Sequence, residues 1–145
     1  MAYVDFVKTE DGYVAGELAD TGDGNFSHCL VSSLCLRGTC GGREAVLVCC
    51  PSDSCGGLWS GRFNGKIYAY LVNEDRGMEL WGTYQLNRGF FAYSNMAQLP
   101  DGTIGVLYED DCISYRAGNY KGKASRITYT NVDLKKAFGL QFDEV

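Results

Sequence analysis

Lys66-Ile67-Tyr68-Ala69-Tyr70-Leu71-Val72 is apolar at every position after the first. Side chains of a strand alternate between its two faces. Ile67, Ala69 and Leu71 therefore share one face, and Tyr68, Tyr70 and Val72 the other. A sheet with one solvated face alternates apolar with polar residues, so a strand of this kind is covered on both sides. The stacked blades of a β-propeller give such cover, because each blade packs between two neighbours. An ordinary sandwich with aromatic surface is the competing architecture.

The remaining segments repeat a strand-then-turn pattern. Ala45-Val46-Leu47-Val48-Cys49-Cys50 is an apolar run closed by Pro51, and Asn64-Gly65 is a tight-turn dipeptide opening the next strand. Asn73-Glu74-Asp75-Arg76-Gly77 is a turn, residues 79–86 a strand, and Asn87-Arg88-Gly89 a turn. Residues 90–97 form a strand, Pro100-Asp101-Gly102 turns into a strand over 103–108, and residues 126–130 form another. Strands that follow one another without intervening helices build an antiparallel meander. One short helix is expected near the end: Asn131 as cap, Asp133 in its first turn, Lys135 and Lys136 in its last, and Gly139 as its stop, with Leu134 and Phe138 on one face. It latches onto the sheet.

Composition narrows the function classes. Of 145 residues, 46% are hydrophobic and 21% charged, enough apolar matter for a core and against disorder. The net charge of -5 argues against nucleic acid or an anionic membrane surface as partner. No apolar run is long enough to span a membrane, and Met1-Ala2-Tyr3-Val4-Asp5-Phe6 has no secretory h-region. The compartment therefore stays open.

Six of the seven cysteines, Cys29, Cys35, Cys40, Cys49, Cys50 and Cys55, fall within residues 29–55; the seventh is Cys112. With no Cys-x-x-Cys pair, and with His28 directly beside Cys29, no metal site is expected. The thiols read as small buried hydrophobes, with a Cys35–Cys40 bridge as the lesser alternative. Cys49 and Cys50 alternate faces, so at most one is expected to point inward. His28, the only histidine, reads as a turn residue rather than a catalytic base.

Phe91-Ala92-Tyr93-Ser94-Asn95-Met96-Ala97, the turn Pro100-Asp101-Gly102 and Val106-Leu107-Tyr108-Glu109 stand in fixed order. Together they resemble the tyrosine segment of the exo-α-sialidases (neuraminidases). The strand Arg126-Ile127-Thr128-Tyr129 resembles the family's last strand, and Cys49-Cys50-Pro51 followed by Arg62 resembles the segment with its last active-site arginine. Residues 18–34 resemble an earlier strand of the family. Asn73-Glu74-Asp75-Arg76-Gly77 followed by Trp81 resembles a worn Asp-box turn, whose full form is Ser-x-Asp-x-Gly-x-Thr-Trp.

The resemblance implies an all-β chain: part of a six-bladed β-propeller, about three blades' worth, with residues 1–145 as its C-terminal portion. It implies removal of terminal sialic acid from glycoproteins, glycolipids and oligosaccharides, with no cofactor and no metal. A secreted or cell-surface setting fits many members. Sialic acid carries a carboxylate on its anomeric carbon, which repels the carboxylate nucleophile of ordinary glycosidases, and sialidases use tyrosine instead. The resemblance makes Tyr93 that nucleophile, Arg62 a bidentate clamp for the substrate carboxylate, and Glu109 a residue behind them that orients an arginine. A phenol, ordinarily near pKa 10, needs a base. Neither that base nor the general acid matches anything in this chain, so the missing N-terminal half of the propeller becomes a required partner and the isolated chain is expected to be inactive. Against these roles stand plainer ones. Tyr93 could fill a core, Arg62 could sit on a surface, and Asp110 and Asp111 read as a solvated acidic turn. The corresponding alternative function is a sialoglycan-binding or purely structural propeller fragment without catalysis.

Overall fold

The structure, a computed structural model, describes residues 2–10, 12–20, 31–53, 62–110 and 126–143. Among the described residues, nine strands and one short helix follow in order: β1 (Ala2–Thr9), β2 (Gly12–Asp20), β3 (Ser32–Cys35), β4 (Ala45–Asp53), β5 (Phe63–Val72), β6 (Met78–Phe90), β7 (Ala92–Gln98), β8 (Ile104–Asp110), β9 (Arg126–Val132) and α1 (Leu134–Phe138). They form three antiparallel meanders of two, four and three strands, ordered β1-β2, β3-β4-β5-β6 and β7-β8-β9. This is an all-β chain, part of a β-propeller, with each sheet a whole or partial blade. His28, Cys29, Cys55, Asp111 and Cys112 lie outside the described residues.

The two-faced strands explain how the sheets meet. Leu47 and Cys49 of β4 pair with Ala69 and Ile67 of β5. Together with Leu71 they pack against Met96, Ile104, Val106 and Tyr108 of the next sheet, and Val132 and Leu134 close the same core. On the opposite face Val48, Cys50, Tyr68 and Tyr70 form a second buried cluster. Fully buried Leu47, Ile67 and Ile104 each contribute about 1.5–3 kcal/mol relative to exposure. No described helix is long and apolar enough to cross a membrane.

Cover on both faces corrects the expectation for the adjacent cysteines. Cys49 and Cys50 point to opposite faces, yet both are fully buried. Cys35 and Cys40 carry free thiols rather than a bridge. Burial pushes the Cys49 thiol up to about 11, with a Ser94 hydrogen bond pulling weakly the other way. Cys50 is pushed up to about 12, first by burial and then by the neighbouring Cys49, against a smaller pull from Lys66. Unfolding returns both toward the ordinary value of 9.0. The unfolded chain then binds fewer protons than the folded one once the pH passes about 9, so stability falls as pH rises from there through the folded values. We expect the melting temperature to drop above about pH 9 and the drop to shrink in a Cys49→Ala, Cys50→Val variant. An equal drop in both proteins would remove the thiols as its cause.

Three turn expectations are also corrected. Asn64-Gly65 does not open a hairpin. It lies inside β5, where the pairing with β6 slips between Phe63 and Gly65 and again between Gly65 and Lys66. Asn64 has φ 62, the left-handed conformation that Asn tolerates better than most residues, and the Asn-Gly pair makes a bulge. Asn87-Arg88-Gly89 likewise stays within β6: Asn87 Oδ1 accepts from the Gly89 amide at 2.7 Å, and its Nδ2 donates to the Phe90 carbonyl at 2.8 Å. Pro51 does not close β4. The strand continues through it, with Pro51 opposite Gly65 and beyond the last described β3–β4 pair, Ser32 with Cys49.

The helix is as short as expected, but its cap is Asp133 rather than Asn131, which stays in β9. The Asp133 side chain accepts from the Lys136 amide, and Gly139 ends the helix at φ 69. Trp81 Nε1 donates to the Phe138 carbonyl at 3.0 Å, fastening α1 to β6.

Candidate functional site

The site is built where β6 hands over to β7 beside the start of β5. One residue, Phe91, separates the two strands. Its amide donates to the Arg62 carbonyl at 2.9 Å, and its fully buried ring stacks on Tyr108, centroids 4.9 Å apart. The β5 backbone runs hard against this ring: a Cβ on Gly65 would lie 2.1 Å from Phe91 Cδ2. Gly65 is thus a close-approach glycine. Neither the stacked ring nor the bulged strand has room to yield, so Gly65→Ala is expected to cost about 3 kcal/mol. A lower denaturation midpoint with an unchanged m-value would show it, and an unchanged midpoint would contradict it.

Phe63 and Phe90 meet edge to face at 6.0 Å, and with buried Ala92 they form a small apolar floor. Tyr93 rises next to it. Pairing between β7 and β8 slips between Ala92 and Asn95, and Tyr93 has φ 47. A non-glycine residue in this region costs on the order of 1–3 kcal/mol and persists only where its surroundings hold it. Here the result is a side chain 46% exposed within a strand that buries both Ala92 and Met96. Arg62 Nη2 donates to the Tyr93 phenol oxygen at 3.1 Å. The guanidinium carbon lies 5.0 Å from the ring centroid, within reach of a cation–π attraction.

The structure therefore brings Arg62 and Tyr93, 31 residues apart, into direct contact. It places Glu109 on β8, half-buried and opposite Ala92, on the rung next to Tyr93. Pro100-Asp101-Gly102 joins the two strands as expected: Leu99 and Thr103 pair across it, and Asp101 Oδ1 accepts from both the amide and the hydroxyl of Thr103. Asp110 is not a solvated turn residue. It ends β8, accepting from Arg126 Nη2 at 3.0 Å and from Asn87 Nδ2 at 3.3 Å. The turn between β5 and β6 is closed by the Asn73 amide donating to the Gly77 carbonyl at 2.7 Å, and Asp75 Oδ1 accepts from the Gly77 amide.

Ser94 was visible in the sequence only as part of a motif. Its hydroxyl lies 2.9 Å from Ser32 Oγ and 3.3 Å from the Cys49 carbonyl. A depression of about 830 Å³ opens at the far end of β7, near Arg37, Gln98, Pro100 and Lys135, away from Tyr93. Among the described residues no three His, Cys, Asp or Glu side chains are grouped to hold a metal ion.

No family model matches the chain. Its sequence is similar to an anhydrosialidase of Macrobdella decora, 32% identical over 77 residues, which is 47% of this chain and 9% of that protein. Its fold is similar to that of the intramolecular trans-sialidase from Ruminococcus gnavus, solved with oseltamivir carboxylate. The TM-score is 0.70 at 20% identity, over 93% of this chain and 28% of that one. It is also similar to the leech intramolecular trans-sialidase complexed with 2,7-anhydro-Neu5Ac, with a TM-score of 0.71 at 20% identity, over 94% and 21%. The chain thus spans less than a third of each of these relatives.

Proposed function

We propose that this chain, similar in sequence to an anhydrosialidase and in fold to solved sialidases, is the C-terminal portion of an exo-α-sialidase propeller, supplying the tyrosine nucleophile Tyr93 and the carboxylate-binding arginine Arg62. The observation that carries this reading is the 3.1 Å contact between the Arg62 guanidinium and the Tyr93 phenol oxygen on an exposed, strained bulge. A carboxylate held by Arg62 sits on the substrate's anomeric carbon, so the clamp delivers that carbon to the phenol. A base from elsewhere in the protein takes the phenol proton as the oxygen attacks. The bond to the leaving oxygen breaks, and a general acid, also from elsewhere, protonates it. The positive charge of Arg62 stands where negative charge grows on the phenol oxygen. Glu109 acts from behind, orienting an arginine rather than touching the sugar.

The open side of the third sheet fits this view of a partial propeller. Among the described residues it has three strands where its neighbour has four, and Leu107, Ile127 and Tyr129 are exposed on one face. Exposed apolar clusters mark interfaces, here with the remaining blades. A second reading concerns the product. Both the curated relative and the two solved structures are named for anhydro or intramolecular transfer chemistry, which favours attack by one of the sialyl group's own hydroxyls over attack by water.

The test uses a fluorogenic sialoside with the complete polypeptide carrying this chain and with residues 1–145 alone. We expect turnover only from the complete polypeptide, because the resemblance matches neither the acid nor the base to a residue of this chain. Free sialic acid as product indicates hydrolysis, and an anhydro sugar indicates internal transfer. Sialoside binding with no turnover by the complete polypeptide would replace the enzyme by a binding module. Turnover by the 145 residues alone would overturn the assignment of acid and base to the rest of the protein.

A further inference from the structure

We infer that Ser94 is a positioning residue that holds Tyr93 on its bulge and aims the phenol at Arg62. This deepens the functional reading above and rests on it. A strand residue at φ 47 does not hold itself there, so its two flanks must. On one side Phe91 is fixed by its amide bond to the Arg62 carbonyl, and Ala92 is buried with Phe63 and Phe90. On the other side Ser94 is the first residue past the left-handed backbone, still within the slipped interval between Ala92 and Asn95. There the ladder to β8 offers no regular pair, and the side chain supplies the anchor.

The anchor reaches into the neighbouring sheet. Ser32 of β3 and Cys49 of β4 are directly paired, and the Ser94 hydroxyl enters this rung. Its one proton goes to the Cys49 carbonyl at 3.3 Å, which leaves its lone pair to accept from Ser32 Oγ at 2.9 Å. Donor and acceptor capacity are both used. A residue tied to two strands of another sheet cannot shift without breaking those bonds. The bulge between the two fixed flanks then has one course, and Tyr93 points where Arg62 waits. The Arg62 backbone is tied to Phe91, and the Ser94 bonds run to Ser32 and Cys49, so loss of the Ser94 hydroxyl moves the phenol and leaves the backbone that carries the carboxylate clamp in place.

The experiment compares Ser94→Ala, Ser32→Ala and Tyr93→Phe in the complete polypeptide, reading kcat and KM on a fluorogenic sialoside, with a crystal structure of Ser94→Ala. A displaced nucleophile beside an intact clamp predicts a kcat lower by on the order of tenfold to a hundredfold, with KM within about twofold. Ser32→Ala, which removes only the bond into Ser94, lowers kcat in the same direction and by less. In the crystal structure the Tyr93 phenol oxygen moves out of hydrogen-bond distance of Arg62. Wild-type kcat in Ser94→Ala overturns the inference. If Ser94→Ala fails to fold, Ser32→Ala decides, and wild-type turnover there overturns it. If Tyr93→Phe keeps full turnover, the functional reading falls. The Ser94→Ala crystal structure still judges the positioning, and an unchanged Tyr93–Arg62 contact overturns it.

Discussion

With Tyr93 as the proposed nucleophile, Tyr93→Phe is expected to lower turnover of the complete polypeptide by on the order of a thousandfold or more, with little change in folding. The substitution removes one oxygen from a side chain that is 46% exposed. It deletes the hydrogen bond from Arg62 Nη2 but keeps the ring under the guanidinium, where the 5.0 Å cation–π geometry survives. The Ser94 and Phe91 anchors do not involve the phenol, so the bulge stays formed. What goes is the only atom of the side chain able to form a bond to the anomeric carbon. A loss confined to kcat, with KM nearly constant, is the signature of a group that acts in the transition state. A comparable loss in KM would instead make Tyr93 a binding residue.

Arg62→Ala has its largest effect on binding. A carboxylate paired with a guanidinium in a closed site loses about 2–5 kcal/mol when the arginine is truncated. Each 1.4 kcal/mol is about tenfold in affinity, so a sialoside should bind at least tenfold more weakly. The Arg62 carbonyl, which accepts from the Phe91 amide, is backbone and remains, so the β5–β7 junction survives. Two controls separate clamp from scaffold: an unchanged melting temperature, and an asialo-oligosaccharide whose weak binding is indifferent to the mutation. An Arg62→Ala protein that binds sialosides normally would end the carboxylate-clamp role and leave Arg62 as a support for Tyr93.

The parts of the fold legible in the sequence were those where local chemistry and tertiary need agree. The two apolar faces of residues 66–72 gave opposite, buried sets, as the clusters around Ile67 and Tyr70 show. Pro100-Asp101-Gly102 is a turn because the Asp101 side chain and the left-handed Gly102 close it without outside help. Asn64-Gly65 and Asn87-Arg88-Gly89 have the same local preferences, but the first sits on β5 with β4 and β6 paired on its two sides and the second on β6 where its pairing with β5 continues. Pairing across the sheet outweighed turn propensity, and the preference was spent on bulges. Pro51 misled for a related reason, since it lies past the described pairs of β3 and takes no ladder bond from them.

At the candidate site, the motif singles out Tyr93 and the place after Cys49-Cys50-Pro51 singles out Arg62, and the structure brings the two into contact. Neither periodicity nor propensity marks them, and their contact depends on a junction that only the fold creates. Glu109 lies on the expected neighbouring strand, joined through the short hairpin and paired with Ala92. Asp110 was misread because its partners, Asn87 and Arg126, are distant in the chain. Ser94 gave no separate signal, because a serine inside a strand looks alike whether it faces solvent or bridges two sheets. The close approach of Gly65 to Phe91 was hidden in the same way, since it is set by residues 26 positions apart.

In the proposed mechanism the Tyr93 oxygen forms a covalent bond to the substrate's anomeric carbon. A sialosyl fluoride with a second fluorine beside that carbon tests it: the fluoride leaves readily, while the neighbouring fluorine withdraws electrons and slows release of the sugar from the protein. Peptide mass spectrometry of the complete polypeptide after incubation should find the sialyl mass on the peptide containing Tyr93 and nowhere else, with none in Tyr93→Phe. An adduct on another residue, or an active protein that never accumulates one, would contradict the claim.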